Sequence, residues 1–132
     1  MPQTEFLGVK ETSEKTGLGE HTLRYYEKIG LIGPVRRSSG GQRQYSEKDL
    51  EWIDFLKCLR STGMSIEHMV EYANCLNEGD DSFERRLGLM MEHRSVILAK
   101  MKELGKFLEA IEWKINFYSE LKEKYENEKN NA

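Results

Sequence analysis

The chain has 132 residues, of which 33% are charged, and a formal net charge of −3, which fits one globular domain with an extension. It has no apolar run long enough to span a membrane and no hydrophobic signal region at its start, so we expect a cytoplasmic protein. The two cysteines are too few for a disulfide framework and lack metal-ligand spacing, so neither a metal site nor a cofactor is expected.

Two short helices are predicted near the start of the chain. The first is Val9 to Thr16, ended by Gly17, and the second is Glu20 to Lys28, ended by Gly30. Glycine accepts the left-handed conformation that closes a helix. The tight turn between them indicates a helix-turn-helix, whose second helix can enter the major groove of DNA.

The segment from Arg24 to Tyr45 is basic, although the chain as a whole is acidic. Its only carboxylate is Glu27, and its cations are Arg24, Lys28, Arg36, Arg37 and Arg43. Part of this charge lies on a glycine-tipped ribbon, Gly40 to Tyr45. Each arginine alone fits an ordinary solvated side chain equally well, but such a cluster attracts the phosphate backbone of duplex DNA.

More helices are predicted after the ribbon. Ser46 and Asp49 have the spacing of a capping box, which begins a helix that runs to Arg60. After a break at residues 62–64, Ser65 is a suitable N-cap for a helix that ends at Leu76. The turn formers and acids of residues 77–82 predict a linker.

One long helix is predicted from Phe83 onward. Its apolar residues repeat with the heptad spacing of a coiled coil, interrupted by Arg94 and Lys122. About 40 helical residues make a rod of about 60 Å, which the preceding domain is too small to cover, so a partner helix is required. The residues assigned to this dimer seam are Met101, Leu104, Leu108, Ile111, Ile115 and Tyr118.

Residues 22–31 resemble the second helix of the MerR family of bacterial transcription regulators, T-L-R-Y-Y-E-x-x-G-L, without a gap. The wing of that family, N-G-Y-R-x-Y, is similar to Gly40–Tyr45, which keeps Arg43 and Tyr45. The likeness in sequence covers roughly Phe6 to Leu76. It implies a mainly α fold: a winged helix-turn-helix domain with a small β wing, followed by a long antiparallel coiled-coil dimerisation helix.

The resemblance also implies domains and roles. The expected divisions are a DNA-binding domain at residues 1–76, a linker at 77–82, a dimerisation helix at 83–125 and a tail at 126–132. The residues implied to contact DNA are Thr22, Arg24 and Tyr25 from the recognition helix, Arg36, Arg37, Arg43 and Tyr45 from the first wing, and Arg60 and Ser65 from the second. Leu23, Tyr26 and Leu31 are expected in the core.

The resemblance further implies a homodimer on a pseudo-palindromic promoter element. The dimer distorts double-stranded DNA between promoter elements and so acts on bacterial RNA polymerase indirectly. Metal-sensing members carry cysteines from the start of the dimer helix onward and drug-sensing members a large C-terminal domain. Because no cysteine follows Cys75 and only Glu126–Ala132 follow the rod, both kinds of sensing are disfavoured.

Cys58 is the candidate for effector sensing. Its surroundings resemble the thiol-based AdhR/NmlR-type subgroup, in which a lone cysteine at the matching place responds to reactive aldehydes and other electrophiles. A small buried apolar residue is the alternative for Cys58, and Cys75 is expected to be a bystander.

Enzyme activity is not expected. His21, His68 and His93 are widely separated, and the sequence has no phosphate-binding glycine loop, nucleophile elbow or convergent carboxylate pair. Two other functions remain open: a constitutive DNA-binding repressor or architectural protein in which Cys58 is purely structural, and a coiled-coil interaction scaffold.

Overall fold

The computed structural model describes residues 5–131, and that part of the chain folds into five α-helices and a two-stranded ribbon. In chain order the elements are α1 (Val9–Thr16), α2 (Glu20–Lys28), β1 (Arg36–Arg37), β2 (Arg43–Gln44), α3 (Glu47–Ser61), α4 (Ile66–Asn77), a 3-10 turn (Asp80–Ser82) and α5 (Phe83–Asn130). The predicted class, mainly α with a small β wing, is confirmed. Residues 1–4 of the predicted first domain and residue 132 of the predicted tail lie outside the described residues. No helix between residues 5 and 131 is both long and apolar enough for a membrane span.

Glycines close the first two helices as predicted. Gly17 follows α1 in the left-handed conformation, with φ of 77°. Gly30 follows α2 with φ of 85°, and its N–H donates to the carbonyl of Glu27 while the N–H of Leu31 donates to that of Tyr26. These two bonds form a Schellman motif, which satisfies carbonyls at the end of the helix.

One apolar core holds α2 against α3 and α4. Its buried members are Leu23, Tyr26, Leu31, Ile32, Val35, Tyr45, Ile53, Leu56, Leu59, Met64, Met69 and Ala73. Full burial of a large apolar side chain contributes about 1.5–3 kcal/mol. The Trp52 indole N–H also donates to the carbonyl of Leu31 at 2.7 Å, joining α3 to the segment after α2. The core therefore fixes the position of α2.

Serine side chains begin α3 and α4. The Ser46 hydroxyl accepts from the Asp49 N–H at 3.1 Å, and the Asp49 carboxylate accepts from the Ser46 N–H at 2.9 Å, which confirms the predicted capping box. The Ser65 hydroxyl accepts from the His68 N–H at 3.1 Å. Both helices extend one residue beyond their predicted ends, to Ser61 and Asn77.

The segment predicted as a linker, residues 77–82, is instead held tightly. The buried Ser82 hydroxyl donates to the carbonyls of Cys75 and Gly79, and the Arg86 guanidinium donates to both of these carbonyls and to that of Leu76. Arg86 thus caps the C-terminal end of α4 from the first turns of α5. The chain divides into two compact units between Met90 and Met91, inside α5.

The second unit is helical up to Asn130, so the helix continues past the predicted boundary at residue 125. The six predicted seam residues have exposed fractions between 55% and 65% in the single chain. Outside that seam, the rings of Trp113 and Phe117 stack with centroids 5.5 Å apart. A row of large apolar side chains this exposed is unusual for a protein that functions as a monomer.

Candidate nucleic-acid interface

The surface of α2 carries the predicted recognition residues. Leu23 and Tyr26 point into the core, as predicted, and this fixes which face of the helix is free. Arg24 and Tyr25 lie on that outer face, where Tyr25 is 47% exposed, and Thr22 is half-buried. The helix therefore presents a cation and an aromatic ring side by side.

The first wing is an antiparallel ribbon in which Arg37 lies opposite Arg43. Gly41 forms its tip with φ of 83°, a conformation that strongly favours glycine. The exposed Arg36 guanidinium lies 4.3 Å above the Phe6 ring centroid, a cation–π contact. The ribbon thus carries three arginines on a short and tightly turned support.

Glu27 joins the wing to α2. Its carboxylate accepts from Arg43 Nε at 3.1 and 3.4 Å, and Arg37 Nη2 lies 3.8 Å from the same group. The Glu27 side chain is only 15% exposed, so these pairs are better shielded from water than surface pairs. The sequence prediction missed this positioning role. The sequence feature that could have indicated this role is that Glu27 is the only carboxylate in the basic segment from Arg24 to Tyr45.

Tyr45, predicted to contact DNA, is buried in this structure. The side chain is 0% exposed and belongs to the core, and the backbone of this residue forms two hydrogen bonds with Leu7, 2.8 and 2.9 Å long. The Tyr45 hydroxyl has no hydrogen-bond partner in the described part of the chain. Burial, with the negative charge of Glu27 as the next cause, raises the pKa of the Tyr45 phenol above its ordinary value of 10.0.

The predicted second wing is the turn between α3 and α4. Gly63 has φ of 101° there, and Arg60 Nη1 lies 3.5 Å from the Met64 carbonyl. Arg60 and Ser65 are both exposed. Within residues 5–131 their hydrogen bonds go to the same turn or to the first turn of α4, so both side chains lie at the surface with local partners.

The two cysteines occupy opposite environments. Cys58 is exposed on α3, which contradicts the alternative of a buried apolar residue, whereas Cys75 is 0% exposed. Lys57, the residue before Cys58 in α3, donates a hydrogen bond from its ammonium group to the Thr16 carbonyl at the end of α1. Between residues 5 and 131 no three His, Cys, Asp or Glu side chains are grouped so that they could hold a metal ion.

Comparisons with known proteins agree with this geometry. Residues 8–74 match the family model for MerR HTH family regulatory proteins. The chain is 38% identical over 112 residues to an uncharacterised HTH-type transcriptional regulator of Haemophilus influenzae, covering 85% of this chain and 83% of the relative. It is 40% identical over 92 residues to the HTH-type transcriptional regulator AdhR of Bacillus subtilis, covering 70% of this chain and 66% of AdhR.

A solved structure is similar along most of the chain. HiNmlR, described as a MerR family regulator lacking the sensor domain and bound to promoter DNA, superposes with a TM-score of 0.79 at 36% identity. The match covers 89% of this chain and 93% of HiNmlR. The family match, these relatives and the winged helix-turn-helix geometry lead to one conclusion: this chain belongs to the MerR family of helix-turn-helix transcription regulators.

Proposed function

We propose that this protein binds a pseudo-palindromic promoter element as a homodimer and controls transcription by distorting that DNA. The observation that carries the proposal is the joint surface of α2 and the first wing, where Glu27 holds Arg37 and Arg43 beside the recognition helix. Arg24, Tyr25 and Arg36 are exposed on the same two elements. Similarity to HiNmlR, described as bound to promoter DNA, supports the same function.

The exposed seam of α5 supports the homodimer. A second copy would cover the apolar row from Met101 to Tyr118 and so remove it from water. A two-fold axis through paired α5 helices would present two recognition helices. Such helices occupy half-sites about 34–36 Å apart, or a multiple of this distance, along the duplex.

Control of transcription would operate through the shape of the DNA. Bending a short site costs about 1–6 kcal/mol, depending on its sequence. A change of dimer geometry that shifts this cost would realign the promoter elements on either side, and RNA polymerase would respond without touching the regulator.

We expect Arg24→Ala and Arg43→Ala each to weaken duplex binding across many sequences. Each loses a phosphate contact, so the slope of log affinity against log salt should fall in magnitude by about 0.9 per protomer. Fluorescence anisotropy of a labelled mixed-sequence duplex over a range of salt concentrations measures both quantities. Arg85→Ala is the matched control, because Arg85 is an exposed arginine whose pairs are with Glu71 and Glu78.

The outcomes separate the alternatives. Unchanged affinity and slope in both variants would show that these arginines do not contact DNA. Failure of the parent protein to bind any duplex at low salt would favour an interaction scaffold.

We further propose that Cys58 senses reactive electrophiles. It is exposed on the first unit, whereas Cys75 is fully buried, and the chain is similar to AdhR. A thiolate attacks the carbonyl carbon of an aldehyde through its sulfur, the carbonyl electron pair moves to oxygen, and that oxygen takes a proton from water. The product is a hemithioacetal on α3, near the second wing.

We expect Cys58→Ser to bind DNA normally but to lose induction by formaldehyde or methylglyoxal, because the nucleophilic sulfur is gone. Cys75→Ser is the control and should keep induction, since its buried sulfur cannot meet the aldehyde. Reporter transcription from the regulated promoter measures the difference. Equal induction in Cys58→Ser and the parent would exclude Cys58 as the sensor and leave a constitutive regulator or a different effector site.

A further inference from the structure

An open cavity of about 410 Å³ lies where the start of α1, the outer face of α2 and the tip of the first wing meet. Its walls are residues 8–10, Arg24 and residues 41–43. Three of the lining side chains, those of Lys10, Arg24 and Arg43, are cationic, and none is a carboxylate. The chemistry of this wall suits an anion.

The charges of Lys10 and Arg24 are weakly compensated within the described residues, whereas Arg43 shares the Glu27 carboxylate with Arg37. In residues 5–131, the Lys10 side chain has no hydrogen bond and no ion pair. In the described part of the chain Arg24 pairs with Glu20 alone, at 4.0 Å and with both side chains well exposed, a geometry that contributes little. Arg43 uses Nε for Glu27, and its two Nη groups have no partner in the described chain.

Backbone groups reinforce this cationic wall. The N-cap of α1 is Gly8, which provides no side-chain hydrogen bond, so the first N–H groups of the helix have no capping partner. The positive end of the helix dipole adds to the charge of Lys10. Gly8 also leaves room, because a Cβ at this position would have no heavy atom within 4 Å.

We propose that this cavity binds one phosphate group of the DNA backbone, with Lys10 as a ligand together with Arg24 and Arg43. The proposal rests on the DNA-binding function proposed above and adds α1 to the interface. Three cations from three elements would fix the position of that phosphate relative to α2, and hence the register of the recognition helix.

The test compares Lys10→Gln with Lys15→Gln in the full-length protein. Both lysines are exposed on α1 and both changes remove one charge, but Lys15 does not line the cavity. Lys10→Gln should lower the magnitude of the salt slope for a mixed-sequence duplex by about 0.9 per protomer, and Lys15→Gln should leave it unchanged. A second variant, Gly8→Glu, adds a carboxylate beside the cavity, at a position where a Cβ meets no heavy atom within 4 Å, and should weaken binding at least as much.

Three results would overturn the proposal or its premise. Equal slopes for Lys10→Gln, Lys15→Gln and a parent that binds DNA would remove Lys10 from the interface and leave the proposed function intact. A parent that binds no duplex would refute the proposed function itself. The third result combines two measurements. If inorganic phosphate binds tightly, seen as amide shifts of Val9 and Lys10, while Lys10→Gln leaves the salt slope of duplex binding unchanged, the ligand is a free anion and not the DNA backbone.

Discussion

Leu108→Asp should dissociate the dimer and abolish specific DNA binding at the same time. Leu108 is 55% exposed in the single chain and lies in the middle of the predicted seam, so pairing of two copies would bury two new carboxylates in apolar surroundings. The penalty for a buried, unpaired charge is several kcal/mol per ion, and 1.4 kcal/mol corresponds to tenfold in affinity. We therefore expect dimer affinity to fall more than about 100-fold.

Analytical ultracentrifugation at micromolar concentration measures this loss directly. Ala110→Asp is the matched control, because it adds the same charge to the same helix at another exposed residue, outside the seam. It should remain dimeric. A Leu108→Asp protein that is still fully dimeric, or equal dissociation of the two variants, would show that the seam has been assigned wrongly.

The features predicted correctly from the sequence depend on residues close together in the chain. Ser46 and Asp49 form both bonds of the capping box within three residues, and Gly17 and Gly30 adopt the conformation that their missing Cβ permits. The burial of Leu23 and Tyr26, which the family resemblance implied, is also confirmed.

The features that sequence reasoning missed depend on partners distant in the chain. Glu27 meets Arg43 across 16 positions, and Lys57 meets Thr16 across 41. Arg86 reaches back to the end of α4, which converts an expected linker into a fixed turn. Nothing in the local pattern of turn formers and acids at residues 77–82 reveals that an arginine of the next helix will cap them.

At Tyr45 the family resemblance and the structure lead to different expectations. The family pattern implies that it contacts DNA, whereas the structure buries it completely. Tyr45→Ala should therefore lower the free energy of unfolding by about 3–5 kcal/mol, the range for removal of a large buried aromatic side chain. Thermal or urea unfolding of the isolated protein measures this loss without DNA.

Tyr45→Phe separates packing from DNA contact, because it removes only a hydroxyl that has no hydrogen-bond partner in the described chain. It should keep full duplex affinity and lose no stability, since an unsatisfied buried hydroxyl contributes nothing that phenylalanine lacks. The raised pKa of Tyr45 adds a pH signature, because the folded state favours the neutral phenol. Below about pH 10 the parent and Tyr45→Phe should therefore have similar free energies of unfolding. As the pH rises further, towards the folded-state pKa, the free energy of unfolding of the parent should fall relative to that of Tyr45→Phe. A selective loss of DNA affinity in a stable Tyr45→Phe protein would instead show that the hydroxyl reaches the duplex and that this ring leaves the core on binding.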